Sequence, residues 1–225
     1  GYDSAVGMLI LFCGIFPGPL FYTVAGVSTV FSDRRAQAEQ TPRRQVWRTL
    51  VARALLIMGL GYLLSIVLSG WAWRLDWSVL QFIGLSLIVC QASLRVPWRY
   101  RLLLPLFFIG LAPLMRLWLG YDVIVGTVNN LHYQPPITLI DHASAMLATG
   151  KVPIFPWLAC PLIGTLIAEP LIDEPRRPRQ AVYATTAVAA TMLVLVLPLW
   201  LLFGDTVSQY PLTNGFFLLS MGMSL

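Results

Sequence analysis

Both histidines of the 225-residue sequence, His132 and His142, fall in one stretch, Gly120 to Lys151, together with Asp122, Asn129, Asn130, Tyr133 and Asp141. A neutral imidazole can take a proton from an attacking hydroxyl or amine, and a nearby carboxylate can orient the ring and stabilise the imidazolium. His132, His142 and Asp141 are therefore the candidate catalytic residues. Adjacent residues such as Asp141 and His142 usually point apart, so a second reading stays open, in which all three are solvated loop or helix-cap residues. No histidine pair at i and i+4, no HExxH and no CxxC accompanies them, and no metal site is expected.

The arginines Arg34, Arg35, Arg43 and Arg44 offer a different chemistry. Guanidinium forks match phosphate oxygens bidentately, which makes these four the candidate landing site for a phosphorylated donor. The plainer alternative is membrane topology and contact with anionic lipid. Glu169 and Arg116 lie near the ends of apolar segments, where an ionisable group is costly unless it snorkels, pairs or faces a cavity. With Trp157 they are the candidate lining of a central cavity. Snorkelling would equally explain Arg116, and Glu169 could simply reach the neighbouring arginines. No Walker A motif, GxGxxG after a strand or GxSxG elbow is present, so nucleotide hydrolysis, dinucleotide chemistry and hydrolase chemistry lack their usual markers.

These residues must be positioned by very apolar elements. Hydrophobic residues make up 57% of the chain and charged residues 11%, where soluble domains carry about a quarter charged. Runs such as Leu102 to Leu114 do not alternate as barrel strands must, and only helices satisfy every backbone group within one apolar segment. The chain reads as all-α: a polytopic transmembrane helix bundle of about seven segments, with residues 1–225 forming one domain. The segments run about Ala5 to Phe31, broken or kinked at Pro17-Gly18-Pro19, then Ala54 to Trp71, Val79 to Leu94, Leu102 to Leu119, Val152 to Ile172, Ala181 to Phe203, and from Asn214 onward. Because the chain starts at Gly1 and its last apolar stretch is too short to cross a bilayer, both ends read as interruptions of a longer protein.

The net charge of +5 does not signal nucleic acid here, since the basic residues cluster between apolar segments. Arg34 to Arg53, Arg95 to Arg101 and Arg176 to Arg179 fall on alternate connections, which places them in the cytoplasm, and Trp71, Trp73 and Trp77 form an opposite interfacial belt. The expected location is the bacterial inner membrane, with lipid as the surrounding partner. Gly120 to Lys151 is then the longest connection on the outer side, where long loops are often functional. Cys13, Cys90 and Cys160 sit inside apolar segments and read as small buried hydrophobes.

Four stretches, in order, resemble the transmembrane acyltransferase family that includes heparan-α-glucosaminide N-acetyltransferase and its bacterial relatives. They are PLFYTVAGVSTVFSDRR (Pro19 to Arg35), VLQFIGLSLIV (Val79 to Val89), VPIFPWLACPLIGTLIAE (Val152 to Glu169) and YPLTNGFFLLSMGMSL (Tyr210 to Leu225). The resemblance implies transfer of an acyl group, typically acetyl, from cytoplasmic acyl-coenzyme A to a sugar or glycolipid acceptor on the outer side. Small residues at Gly26, Ser28 and Gly164 would permit close helix packing, and Phe155, Pro156 and Trp157 would set the outer mouth of the fifth segment. Members of the family also place a catalytic histidine after an N-terminal helix with an Arg-Gly motif. No histidine occurs between Gly1 and Phe31, so that histidine maps onto no residue of this chain: either it precedes Gly1, or the protein has lost it. A non-catalytic subunit of a larger membrane complex, reusing the same scaffold, is the alternative that this difference motivates.

Overall fold

The computed structural model describes residues 17–69, 77–119, 138–149 and 152–173, which are helical throughout apart from short connections. In chain order the helices are α1 (Pro17–Ala38), α2 (Arg43–Ser69), α3 (Val79–Ser93), α4 (Trp98–Arg101), α5 (Leu103–Trp118), α6 (Leu139–Ser144), α7 (Ile154–Trp157) and α8 (Ala159–Asp173), with a π-helical turn over Ala145–Thr149 continuing α6. Helix α8 lies at the centre, packed mainly against α1 and also against α3 and α5. Helix α2 stands outside, resting on α3.

Two of the sequence boundaries move for identifiable reasons. The first described helix opens on Pro17-Gly18-Pro19, and prolines suit a first turn, where the amide positions have no intrahelical acceptor; the expected segment before Pro17 lies outside the described residues. The helix then runs past Arg34 and Arg35 until Gln40, which adopts a left-handed φ of 51°. Thr41 N–H there donates to Ala36 O at 2.9 Å, an αL stop made by glutamine where glycine is usual. Helix α2 starts at Arg43, eleven residues before the expected apolar start, so four arginines assigned to a loop ride on a helix. The segments at Val79, Leu102 and Val152 match α3, α5 and α7–α8 closely, although the last is broken where Phe155 leaves helical geometry.

Two runs, Arg43–Val67 and Ile154–Ile172, are long and apolar enough to cross a membrane. Helix α3, with 15 residues, reaches only about 22 Å at 1.5 Å per residue, short of a hydrocarbon core of about 30 Å. Among the described residues those two runs are the candidate spans, with shorter apolar helices beside them, and the count of seven is not confirmed. The sixth and seventh expected segments, and Cys13, lie outside the described residues.

The core gathers Tyr22, Trp77, Phe82, Trp157, Leu158 and Leu162. Tyr22 meets Phe82 and Trp157 edge-on, with ring centroids at 4.7 and 5.5 Å, the arrangement that aromatic quadrupoles favour. The outer surface is apolar too: Leu56 is 63% exposed, Val67 69% and Leu106 63%. Hydroxyls inside this setting bond to their own helices, as Thr23 does to Pro19 O (2.8 Å), Ser86 to Ile83 O (2.8 Å) and Thr165 to Leu162 O (2.7 Å). These hydroxyl hydrogens are thereby kept from facing an apolar medium.

The α1–α8 contact depends on two glycines. A Cβ at Gly26 would lie 1.9 Å from Pro161 O, and one at Gly164 would lie 2.1 Å from Thr23 O. Each helix thus presses its backbone into the other's glycine, the close approach that small residues permit in membranes. The expectation for Gly26 and Gly164 holds. Ser28 does not join them; it is exposed and its hydroxyl donates to Ala25 O at 2.8 Å.

Candidate functional site

Polar groups collect at the two ends of the bundle. At the arginine end, α1 closes with Asp33 and Arg34, α3 with Gln91, and α8 with Glu169, while α4 contributes Arg101. Asp33 accepts hydrogen bonds from Gln91 Nε2 at 2.7 Å and Gln37 Nε2 at 2.6 Å, which ties α1 to α3. Glu169 receives Arg101 Nη2 through one oxygen and lies 3.8 Å from Arg34 Nη2 through the other. The option that Glu169 reaches neighbouring arginines is thus realised, and one partner is Arg101, which sequence reasoning had assigned only to topology.

A cleft of about 570 Å³ opens at this end, lined by Asp33, Gln37, Arg43, Trp47, Gln91 and Arg95 among others. Arg95 sits 4.6 Å above the Trp47 ring, a cation–π contact that joins α2 to the turn after α3. The four expected donor arginines do not converge. Arg43 lines this cleft and Arg34 is engaged beside it. Arg35 turns to solvent and pairs with Glu39 at 2.8 Å, a contact that raises its pKa further through hydrogen bonding and charge. Arg44 lines a separate shallow cleft with Arg48 and Arg53.

At the opposite end, His142 is half-buried on α6. Its Nε2 lies 3.1 Å from Tyr62 Oη of α2, and its ring meets Trp77 at 6.2 Å in an edge-on arrangement. Trp77 is not the interfacial belt residue expected of it. It is 1% exposed, and its indole N–H donates to Val152 O at 2.8 Å, which anchors the chain before α3 to the chain before α7. The stretch expected to be one long connection ends in helix α6 and its π turn, and this helix sets the direction of His142. His132 lies outside the described residues, as do the side chains of Asp141 and Arg116. Trp157 is 6% exposed in the core, packed on Tyr22 and near Gly18. Cys90 and Cys160 are buried free thiols, as small apolar residues in these segments should be.

Sequence reasoning missed Tyr62, Asp33, Gln91 and the role of Arg101. The signal available was polarity inside apolar helices: a glutamine at position 91 and a tyrosine at position 62 carry groups that need partners in such surroundings.

Among the described residues, a helical bundle with an apolar exterior and its ion pairs gathered toward one end fits a membrane-embedded protein. The family model described as the catalytic domain of heparan-α-glucosaminide N-acetyltransferase matches residues 2–204, nearly the whole chain. The chain belongs to that acetyltransferase family. No curated protein and no solved structure matches it significantly.

Proposed function

We propose that this chain is a multi-pass membrane acetyltransferase that takes acetyl from acetyl-coenzyme A at its arginine end and passes it to a sugar or glycolipid hydroxyl or amine at the other. The observation that supports this most is membership of the family over residues 2–204, joined to a bundle whose two ends differ in chemistry. The arginine end faces the cytoplasm of an inner membrane. There Arg43 and Arg95 flank Trp47 in the cleft, a setting for the donor's phosphates and its aromatic base. Arg34 lies beside the cleft, next in sequence to the lining residue Asp33. Arg43 and Tyr62 are 19 positions apart on α2, or about 28 Å at the helical rise, so the donor's long arm has to reach most of the way from one end of the bundle to the other.

At the far end His142, or His132 in the preceding chain with Asp141 beside its partner, accepts the proton of the attacking group. As the acceptor oxygen or nitrogen bonds to the thioester carbonyl carbon, the proton moves to the imidazole and the thiolate departs, taking a proton in turn. The enzyme so described needs no metal.

Incubating the purified, membrane-reconstituted protein with acetyl-labelled coenzyme A tests this. Saturable donor binding and label transfer to an amino sugar or to water are the expected results. Absence of binding, hydrolysis and transfer together would overturn the proposal and favour the second reading, a non-catalytic subunit that keeps the scaffold for contacts with other membrane subunits.

A further inference from the structure

Arg101 has more hydrogen-bonding capacity than the described arrangement uses. Its side chain is 5% exposed. Nη2 is held by Glu169, while Nε and Nη1 are buried without a hydrogen-bond partner among the described residues. A guanidinium cannot release its proton to escape such a position, and its planar fork is built to meet two oxygens of one anion. Glu169 is 16% exposed and shared between Arg101 and Arg34, so these three side chains carry one net positive charge. One carboxylate therefore serves two cations, and buried donors remain unmet next to it.

We propose that Arg101 and Arg34 form an inner subsite for a phosphate-class anion, with Glu169 as the resident counter-ion that the anion displaces or shares. Entry is from the Arg34 side, because Arg34 is 35% exposed and adjoins Asp33 in the wall of the cleft. The same oxyanion chemistry is offered by the diphosphate of a nucleotide-linked donor and by a phospholipid headgroup. The subsite deepens the donor reading given above, yet it is tested without any acyl group, so protein that binds the anion but transfers no acetyl keeps the subsite and loses only the enzyme.

The probe is inorganic pyrophosphate, titrated against the full chain in phosphatidylcholine nanodiscs with thermal unfolding as the readout. Wild-type protein is expected to be stabilised saturably. Arg101→Gln weakens the apparent affinity about tenfold or more, the effect of losing a charge-assisted contact, and Arg53→Gln, which removes a charge from the separate shallow cleft, leaves it unchanged. Glu169→Gln strengthens it several-fold, because a repelling carboxylate has gone while the fork remains. That opposite sign is what a merely structural ion pair would not give. Should Arg101→Gln fail to fold, Arg101→Lys, which keeps the charge and loses the fork, still reports a loss. Repeating the titration in phosphatidylglycerol nanodiscs separates the sources: a lipid site loses its pyrophosphate response there, and a soluble-donor site keeps it. No stabilisation of wild type by pyrophosphate, equal binding by the Arg101 variants, or weakening in Glu169→Gln would each overturn the subsite.

Discussion

His142→Gln is expected to lower acetyl transfer by about 10²- to 10⁴-fold, the range for removal of a general base, while binding of acetyl-coenzyme A stays within error. The geometry behind this is specific. His142 is carried on α6, its amide N–H donating to Thr138 O at 3.0 Å, and its Nε2 is paired with Tyr62 Oη at 3.1 Å. Trp77 closes one side of the ring. The phenol and the indole together hold the imidazole in one orientation at this end of the bundle, the placement that a base needs before its proton transfer can be efficient. Steady-state turnover together with equilibrium donor binding checks the expectation, and His132→Gln is the comparison. If His142→Gln keeps turnover within about threefold of wild type while His132→Gln abolishes it, the base is His132, and the assignment to α6 is lost.

The second large effect is on folding. Gly26→Ala places a methyl group where Pro161 O now lies, 1.9 Å from the new Cβ. The obstacle is backbone, not the flexible end of a side chain, so α1 and α8 must separate. Since this is the most extensive helix pair of the bundle, the loss should reach about 3 kcal/mol or more, at the upper end of overpacking effects. Gly164→Ala meets Thr23 O at 2.1 Å and should cost a similar amount. The double variant is expected to lose clearly less than the sum, because one separation of the helices relieves both clashes. Thermal unfolding of all three variants in one detergent provides the numbers; full additivity would mean that the two glycines act at independent places.

The parts of this fold that were legible in the sequence are those where apolar runs have clear punctuation. Helix α3 begins at Val79 as expected because Ser78 N–H donates to Gln81 Oε1 at 3.1 Å, half of a capping box that a Ser-x-x-Gln pattern announces. Gly26 and Gly164 were readable because a bare backbone inside a membrane segment has few uses other than close contact. The start of α2 was not readable: Arg43, Arg44, Arg48 and Arg53 mark an interface by charge, yet arginine is a good helix former, and polarity locates the edge of a bilayer without locating the end of a helix. Trp77 was misplaced for a related reason. An indole suits an interfacial belt and a buried site with an acceptor equally well, and its acceptor, Val152 O, is 75 positions away. The polar cluster around Glu169 was half legible, since a carboxylate near an apolar segment demands cations but its sequence does not say which of fifteen basic residues supplies them.

Helix α2 has only 11% of its apolar stretch buried and rests on α3, yet it reaches both chemistries. Near its start, Arg43 and Trp47 wall the cleft; further along, Tyr62 holds His142. Because one helix carries both a wall of the cleft and the partner of His142, a tilt of α2 that widens the cleft also moves Tyr62 against the imidazole. Thermodynamic reciprocity would then apply: whatever a bound donor does to the Tyr62–His142 contact, that contact does in equal measure to the grip on the donor.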